Sequence, residues 1–263
     1  MKIGVTQIIL GNLTLDEILQ LCCDAGYEAL ELVFSPEGDP NVDMSDDEVR
    51  GVKTRCDDAG IEISSALARY DNRGNFLSRD PAEREAGMKS LRRAIDVAHL
   101  VETDAVLLHP GQLPVDGTYE NAWDDFLVSM KEIAPYAEEK GVAVGIENVW
   151  NKFLLNPKET REFVDAVGND WVGIYLDTAN MMFYGYPEHW IRGLQHRIKR
   201  VHFKDFVRQQ RNFVPLMDGD TDWAEVMKGL RDIDYDRYVI HEVGGDRDVQ
   251  IEMAKRMKQI VAM

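Results

Sequence analysis

Short apolar runs and amphipathic stretches alternate along the whole chain. Eight runs read as buried strands: Ile3 to Leu10, Ala29 to Phe34, Ile61 to Leu67, Asp104 to His109, Val142 to Glu147, Val172 to Asp177, Lys199 to Phe203 and Arg237 to Glu242. Most are near-continuous in Val, Ile, Leu and Ala rather than alternating with polar residues. That is the pattern of strands covered on both faces. Helical patterns with legible ends separate them. Thr14 with Glu17, and Ser45 with Glu48, are capping-box pairs that open helices ending at Ala25 and Gly60. Asp80-Pro81 supplies an N-cap and a proline at the first helical position, for a helix reaching about Val101. Tyr119 to Lys140 follows, with Pro135 predicting a kink, and Gly141 ends it. The remaining helices are Pro157 to Val167, Pro187 to His196, one capped by Thr221 or Asp222 and reaching Arg231, and Asp248 to Val261.

Strict alternation of strand and helix implies parallel βαβ units. Eight such units in 263 residues predict one α/β domain over residues 1–263, a closed (β/α)8 TIM barrel. An open doubly wound sheet would carry a glycine-rich fingerprint after its first strand, and Gln7-Ile8-Ile9-Leu10-Gly11 offers none.

The composition narrows the partners. A formal net charge of −17 repels nucleic-acid phosphate, and the chain has no polybasic patch for a membrane surface. No apolar run approaches the ~20 residues of a membrane span. Cys22, Cys23 and Cys56 form no paired framework, which favours a reducing compartment. Met1-Lys2-Ile3-Gly4 begins directly as a strand without signal-peptide features. The expected location is the cytoplasm, and the expected ligand a small molecule.

In a barrel of this kind the C-terminal ends of the strands build the active site. The polar residues found there are Gln7, Glu31, Arg69, His109, Glu147, Asp177, His202 and Glu242. Four of them, Glu147, Asp177, His202 and Glu242, would converge if their strands are neighbours. Three carboxylates brought together repel, and a divalent cation removes the conflict. An oxygen-rich set with one imidazole suits Mn²⁺, and also Mg²⁺, Co²⁺ or Zn²⁺. Such an ion would keep open positions for two adjacent oxygens of a substrate and act as a Lewis acid during loss of an α-proton. Separate salt-bridged strand ends are the plainer reading. His109 precedes Pro110-Gly111 and reads equally as a substrate contact or a satisfied rim histidine. Arg208 follows the seventh strand, where an arginine can hold a hydroxyl or phosphate. Lys204 and Asp205 sit beside the ligands, and Trp150, Phe153 and Tyr184 lie in loops that wall the pocket or pack. Arg69, Arg73 and Arg79 could serve a phosphate, although no helix-terminus cradle is legible. His241 alternates away from Glu242 and reads as structural.

At Gly145-Ile146-Glu147-Asn148, Tyr175-Leu176-Asp177-Thr178-Ala179-Asn180, Val201-His202-Phe203-Lys204-Asp205, Asp218-Gly219-Asp220-Thr221-Asp222-Trp223 and His241-Glu242, the chain resembles the sugar-phosphate isomerase/epimerase group of xylose-isomerase-like TIM barrels. That group includes ketose 3-epimerases. The resemblance implies a Mn²⁺-type site on Glu147, Asp177, His202 and Glu242, with the two glutamates as the acid/base pair. It also implies a sugar or sugar phosphate as substrate and a dimer or tetramer. Substrate contacts are expected from Arg208, His109, Asn180, Lys204 and Trp150. The chain departs from the pattern twice. Asn180 stands where the epimerases have histidine, and Phe153 where they often carry a second glutamate. Two other activities on the same scaffold are weighed beside isomerisation: a metal-dependent dehydratase of the inosose or dehydroshikimate type, and, more remotely, an apurinic endonuclease, which would need more histidines and a basic groove.

Overall fold

The computed structural model describes residues 1–263. Its strands are β1 (Lys2–Thr6), β2 (Ala29–Phe34), β3 (Glu62–Ala68), β4 (Ala105–Leu108), β5 (Ala143–Glu147), β6 (Val172–Asp177), β7 (Ile198–Phe203), β8 (Asp205–Val207), β9 (Asn212–Val214) and β10 (Tyr238–His241). The helices are α1 (Leu15–Ala25), α2 (Asp46–Asp58), α3 (Pro81–Leu100), α4 (Tyr119–Lys140), α5 (Pro157–Val167), α6 (Pro187–Leu194), α7 (Trp223–Asp232) and α8 (Arg247–Val261). Eight parallel strands close a barrel in the order β1, β2, β3, β4, β5, β6, β7, β10, with β10 returning to β1. Every helix lies outside this ring, and one contiguous core of 67 buried residues joins the two layers. The chain is therefore the TIM barrel that the alternation of runs predicts.

Local chemistry sets the helix ends. Both capping boxes form: Thr14 Oγ1 accepts from Glu17 N, Ser45 Oγ accepts from Glu48 N, and each glutamate reaches back to its cap. Gly26 and Gly141 end their helices in the left-handed region. Asp222, the second of the two expected caps, opens α7.

Three boundaries differ from expectation. The first run is a strand only to Thr6, and Gln7–Ile9 turn as a 3₁₀ helix. Thr6 Oγ1 accepts from Ile8 N at 3.2 Å. Gln7 plugs into its neighbours, donating to Asp39 O at 2.7 Å and accepting from Val33 N at 2.9 Å. These tertiary bonds outbid the apolar run. Helix α6 stops at Leu194 rather than His196, because Gln195 takes φ 53°. The loop after β7, expected to be irregular, folds as the antiparallel pair β8–β9.

A buried aspartate anchors that loop. Asp205 accepts from Met217 N (2.8 Å), Gly219 N (3.1 Å), Thr221 Oγ1 (2.6 Å) and Trp223 Nε1 (3.2 Å), and from the amide of Phe206 at 2.9 Å. Gly219 permits this closeness: a Cβ there would lie 2.2 Å from Asp205 Oδ1. No helix is long and apolar enough to cross a membrane.

Candidate metal centre

The four expected ligands meet at one point above the barrel. Glu147 ends β5, Asp177 ends β6 and His202 lies in β7, with Asp177 paired to His202 in register. Glu242 directly follows β10, its amide donating to Phe203 O at 3.2 Å. Each of the four offers a ligand atom within 4.8 Å of the others. His202 Nδ1 is 3.6 Å from Glu147 Oε1 and 3.5 Å from Glu242 Oε2.

The donor set fits a cation on this geometry. Asp177 Oδ2, His202 Nδ1 and Glu242 Oε2 are all buried without a hydrogen-bond partner. Buried polar atoms are almost always partnered; here three lie together, and outside the group two of them have only the Lys204 ammonium at ion-pair distance and no hydrogen bond, so the group fits a further positive ion. The other oxygen of Asp177 is spent: Oδ1 accepts from Ala179 N (2.8 Å) and Asn180 N (2.7 Å), which fixes the carboxylate plane. Three oxygens and one imidazole nitrogen form a donor set for a divalent ion of the Mg²⁺ to Zn²⁺ range.

The charges of the cluster are set by burial. Burial and the neighbouring Glu242 charge push the Glu147 carboxyl up to about 7. Burial also works against the charge of Glu242, but His202 and Lys204 hold it at about 2. Two carboxyls on one cavity thus have acidities driven far apart. Lys204 supplies the local counter-charge, with Nζ 3.5 Å from Asp177 Oδ2 and 3.3 Å from Glu242 Oε2. Although burial disfavours its charge, those carboxylates raise its affinity for the proton.

Glu31, one of the polar strand-end residues, lies beneath the ligands and completes the centre from below. It is fully buried within β2 and accepts from Thr6 Oγ1 (2.7 Å), Ser65 Oγ (2.7 Å) and Tyr175 OH (2.6 Å). Its Oε1 lies 3.1 Å from His202 Nε2. Burial raises its proton affinity, yet the His202 charge and the hydroxyl donors bring the carboxyl below its usual range. A carboxylate on Nε2 orients the ring and leaves Nδ1 to ligate. The signal was a glutamate between Leu30 and Leu32 in an otherwise apolar run.

The other expected site residues separate into groups. His109 is exposed to the cavity, with Nδ1 accepting from Gly111 N at 3.1 Å. Desolvation and the charge of Arg73 hold the ring below its ordinary pKa. Asn180 donates Nδ2 to Asn148 O at 3.0 Å and receives Trp150 Nε1 on its carbonyl at 2.7 Å. Trp150 stacks on Phe213 with ring centroids 5.0 Å apart, and Phe206 and Phe183 complete an aromatic wall. Arg208 turns to the rim, donating to Met182 O (2.6 Å) and Gly185 O (2.8 Å), with its guanidinium 4.3 Å from the Tyr186 ring centroid. In this conformation it ties two rim loops and makes no ion pair with the carboxylates. Phe153 is buried against Tyr119, Phe126 and Phe163, so it is core rather than pocket wall. His241 is structural as expected: Nε2 lies 2.6 Å from Tyr27 OH, and the two rings stack.

A cavity of about 440 Å³ opens beside the centre. Glu147, Glu242, His109, Arg69, Arg73 and Phe76 are among its lining residues. That volume is in the range of small-molecule sites.

The same fold recurs in known proteins. The uncharacterized protein MJ1311 of Methanocaldococcus jannaschii is 24% identical in an alignment of 271 positions, spanning 99% of this chain and 90% of its own length. Among solved structures, a D-tagatose 3-epimerase-like protein superposes with TM-score 0.85 at 21% identity, covering 100% of this chain and 97% of that one. L-Ribulose 3-epimerase superposes with TM-score 0.81 at 20% identity, covering 99% and 93%. Residues 19–261 match the family described as xylose isomerase-like TIM barrel, and the chain belongs to that family.

Proposed function

We propose that this chain is a divalent-metal-dependent isomerase or epimerase acting on a ketose or ketose phosphate. The observation that carries the reading is the four-ligand cluster with three orphaned donor atoms, opening through Glu147 and Glu242 onto a cavity. Similar structures named as ketose 3-epimerases support it.

Glu147, Asp177, His202 and Glu242 would hold the ion, with Mn²⁺ the best match to the donor set and Mg²⁺, Co²⁺ or Zn²⁺ also accommodated. When bound, it polarises a substrate carbonyl and stabilises the negative charge that develops as an α-proton leaves. The chain's own residues supply the proton transfers. Inverting a carbon needs removal on one face and return on the other, and Glu147 and Glu242 come from different strands on the same cavity. Lys204, between Asp177 and Glu242, keeps Glu242 ionised. Phe213 stacks on Trp150 and borders Lys204 and Glu242, which sets an apolar face beside the centre. A dehydratase begins with the same proton loss, and one observation favours it as the second reading. His109 faces the cavity with Nε2 uncommitted and could assist a leaving hydroxyl.

The test is proton exchange in D₂O. Mn²⁺-loaded protein and Glu242→Gln are incubated with ketoses, ketose phosphates, inosose and dehydroshikimate, and followed by NMR. Deuterium at C3 with a new epimer, or at C1 or C2 with an aldose, is the expected outcome. Glu242→Gln should lose about 10²–10⁴-fold in rate, the usual contribution of a general acid or base. An unsaturated product assigns the lyase instead. No exchange with any compound, together with absence of bound metal in the purified protein, rejects the catalytic reading.

A further inference from the structure

The loop after β3 carries three arginines without a hydrogen bond or ion pair, Arg69, Arg73 and Arg79, and two of them, Arg69 and Arg73, line the cavity beside the metal centre. In a chain with 47 acidic residues and 30 basic ones, many guanidiniums find a carboxylate. Arg55 meets Asp16, Arg92 meets Glu132, Arg197 meets Asp165 and Arg256 meets Asp218. The Arg69 and Arg73 side chains make neither a hydrogen bond nor an ion pair, and the charge that acts on Arg69 is that of Arg73. Asp71, between them in sequence, lines the same recess without pairing to either. Arg79, the third arginine of this loop, lies elsewhere, its side chain against Gly117.

Both arginines line the cavity that holds Glu147, Glu242 and His109, and also an adjoining recess of about 560 Å³. Their loop is fixed in place. Gly74 has φ +69°, and a Cβ there would lie 2.1 Å from Gly87 N, so the chain runs directly against α3. Asn75 N donates to Glu83 O (3.1 Å), Asn75 Nδ2 to Gln112 O (2.8 Å), and Phe76 N to Pro110 O (3.2 Å). Two like charges are therefore presented to one cavity from an anchored backbone. Partial burial and the Arg73 charge both disfavour the Arg69 cation, a conflict that an anion between them would relieve.

We propose that Arg69 and Arg73 form a subsite for a phosphate monoester on the substrate, so that the chain acts on a ketose phosphate whose carbonyl end faces Glu147 and Glu242. The inference rests on the isomerase or epimerase reading above. A phosphate presents three oxygens to two planar donor forks, and its charge balances both guanidiniums. A neutral sugar would leave both guanidiniums without a counter-charge in the occupied cavity. A sugar carboxylate offers a smaller version of the same match.

The experiment compares kcat/KM for a ketose phosphate, the matching free ketose and the matching ketouronic acid. The proteins are Mn²⁺-loaded wild type, Arg69→Met, Arg73→Met and, as a control on an exposed site of α7, Arg231→Met. The wild type should prefer the phosphate by 100-fold or more. Each cavity variant should lower that preference by about 10- to 150-fold, the value of one charge-assisted hydrogen bond, and the control should keep it. Inorganic phosphate should compete with the phosphorylated substrate in the wild type. Equal turnover of free and phosphorylated ketose overturns the proposal, as does a variant effect equal on both. Preference for the uronic acid overturns the phosphate assignment. Absence of turnover with every substrate defeats the functional reading alone. Calorimetric titration of inorganic phosphate then decides the subsite, with binding lost in Arg69→Met/Arg73→Met supporting it, and no binding or equal binding rejecting it.

Discussion

Replacing Glu31 by glutamine isolates the residue beneath the ligand shell. The substitution keeps volume and one acceptor, so the barrel floor is not emptied. It removes the charge that faces His202 Nε2 at 3.1 Å, and it forces a rearrangement among the hydroxyls of Thr6, Ser65 and Tyr175, at 2.7, 2.7 and 2.6 Å. At least one oxygen position becomes an amide nitrogen, and the hydroxyls donating to it must turn to accept. The hydrogen bond to His202 changes from charge-assisted to neutral, a loss of about 1–1.5 kcal/mol, the difference between the two kinds of bond. The ring also loses the anion that makes Nδ1 a stronger donor. Together these predict metal affinity about 10- to 100-fold weaker, the usual cost of changing a ligand's hydrogen-bond partner. Competitive titration of Mn²⁺ against a chelator, with circular dichroism to verify folding, measures it. If Glu31→Gln binds Mn²⁺ within threefold of the wild type, the carboxylate does not organise His202, and this account of the centre is wrong.

Two further outcomes follow from the geometry. In the metal-free protein Glu147 titrates near 7, and His202, despite the cost of burial, is raised well above its ordinary value by Glu31, Glu147 and Glu242. Both must be deprotonated to ligate, so lowering the pH through 7 weakens binding and raising it strengthens it. Calorimetry at pH 6 in buffers of different ionisation enthalpy should show about two protons released per ion, and a slope of zero would contradict these assignments. Asp205→Asn places an amide nitrogen among the donors from Met217, Gly219, Thr221 and Trp223. With at least one or two buried donors left unpaired, stability should fall by about 3 kcal/mol. For a chain of this size that is a Tm lower by about 6–12 °C by scanning calorimetry, and a change below 2 °C would show the loop is held by other contacts.

What the sequence determined alone is what depends on neighbours in the chain. Strand and helix periodicities, the Thr14 and Ser45 capping boxes and the glycine stops are local, and they were sufficient to count eight βα units. Because parallel units of one handedness place every strand's C-terminal end on the same face, the count also made Glu147, Asp177, His202 and Glu242 legible as a cluster. Tertiary structure decided the rest, since it depends on partners far away in sequence. The 3₁₀ turn after Thr6 exists because Gln7 finds Asp39 and Val33. The β8–β9 pair is three residues a side, too short to leave a period, and a buried aspartate ties it to the segment from Met217 to Trp223. Arg208 could be placed near the site but not oriented, because the carbonyls it binds belong to Met182 and Gly185. Glu31 stood in plain view as a polar break in an apolar run. Its purpose appeared only when barrel closure brought His202, 171 residues on, to within 3.1 Å.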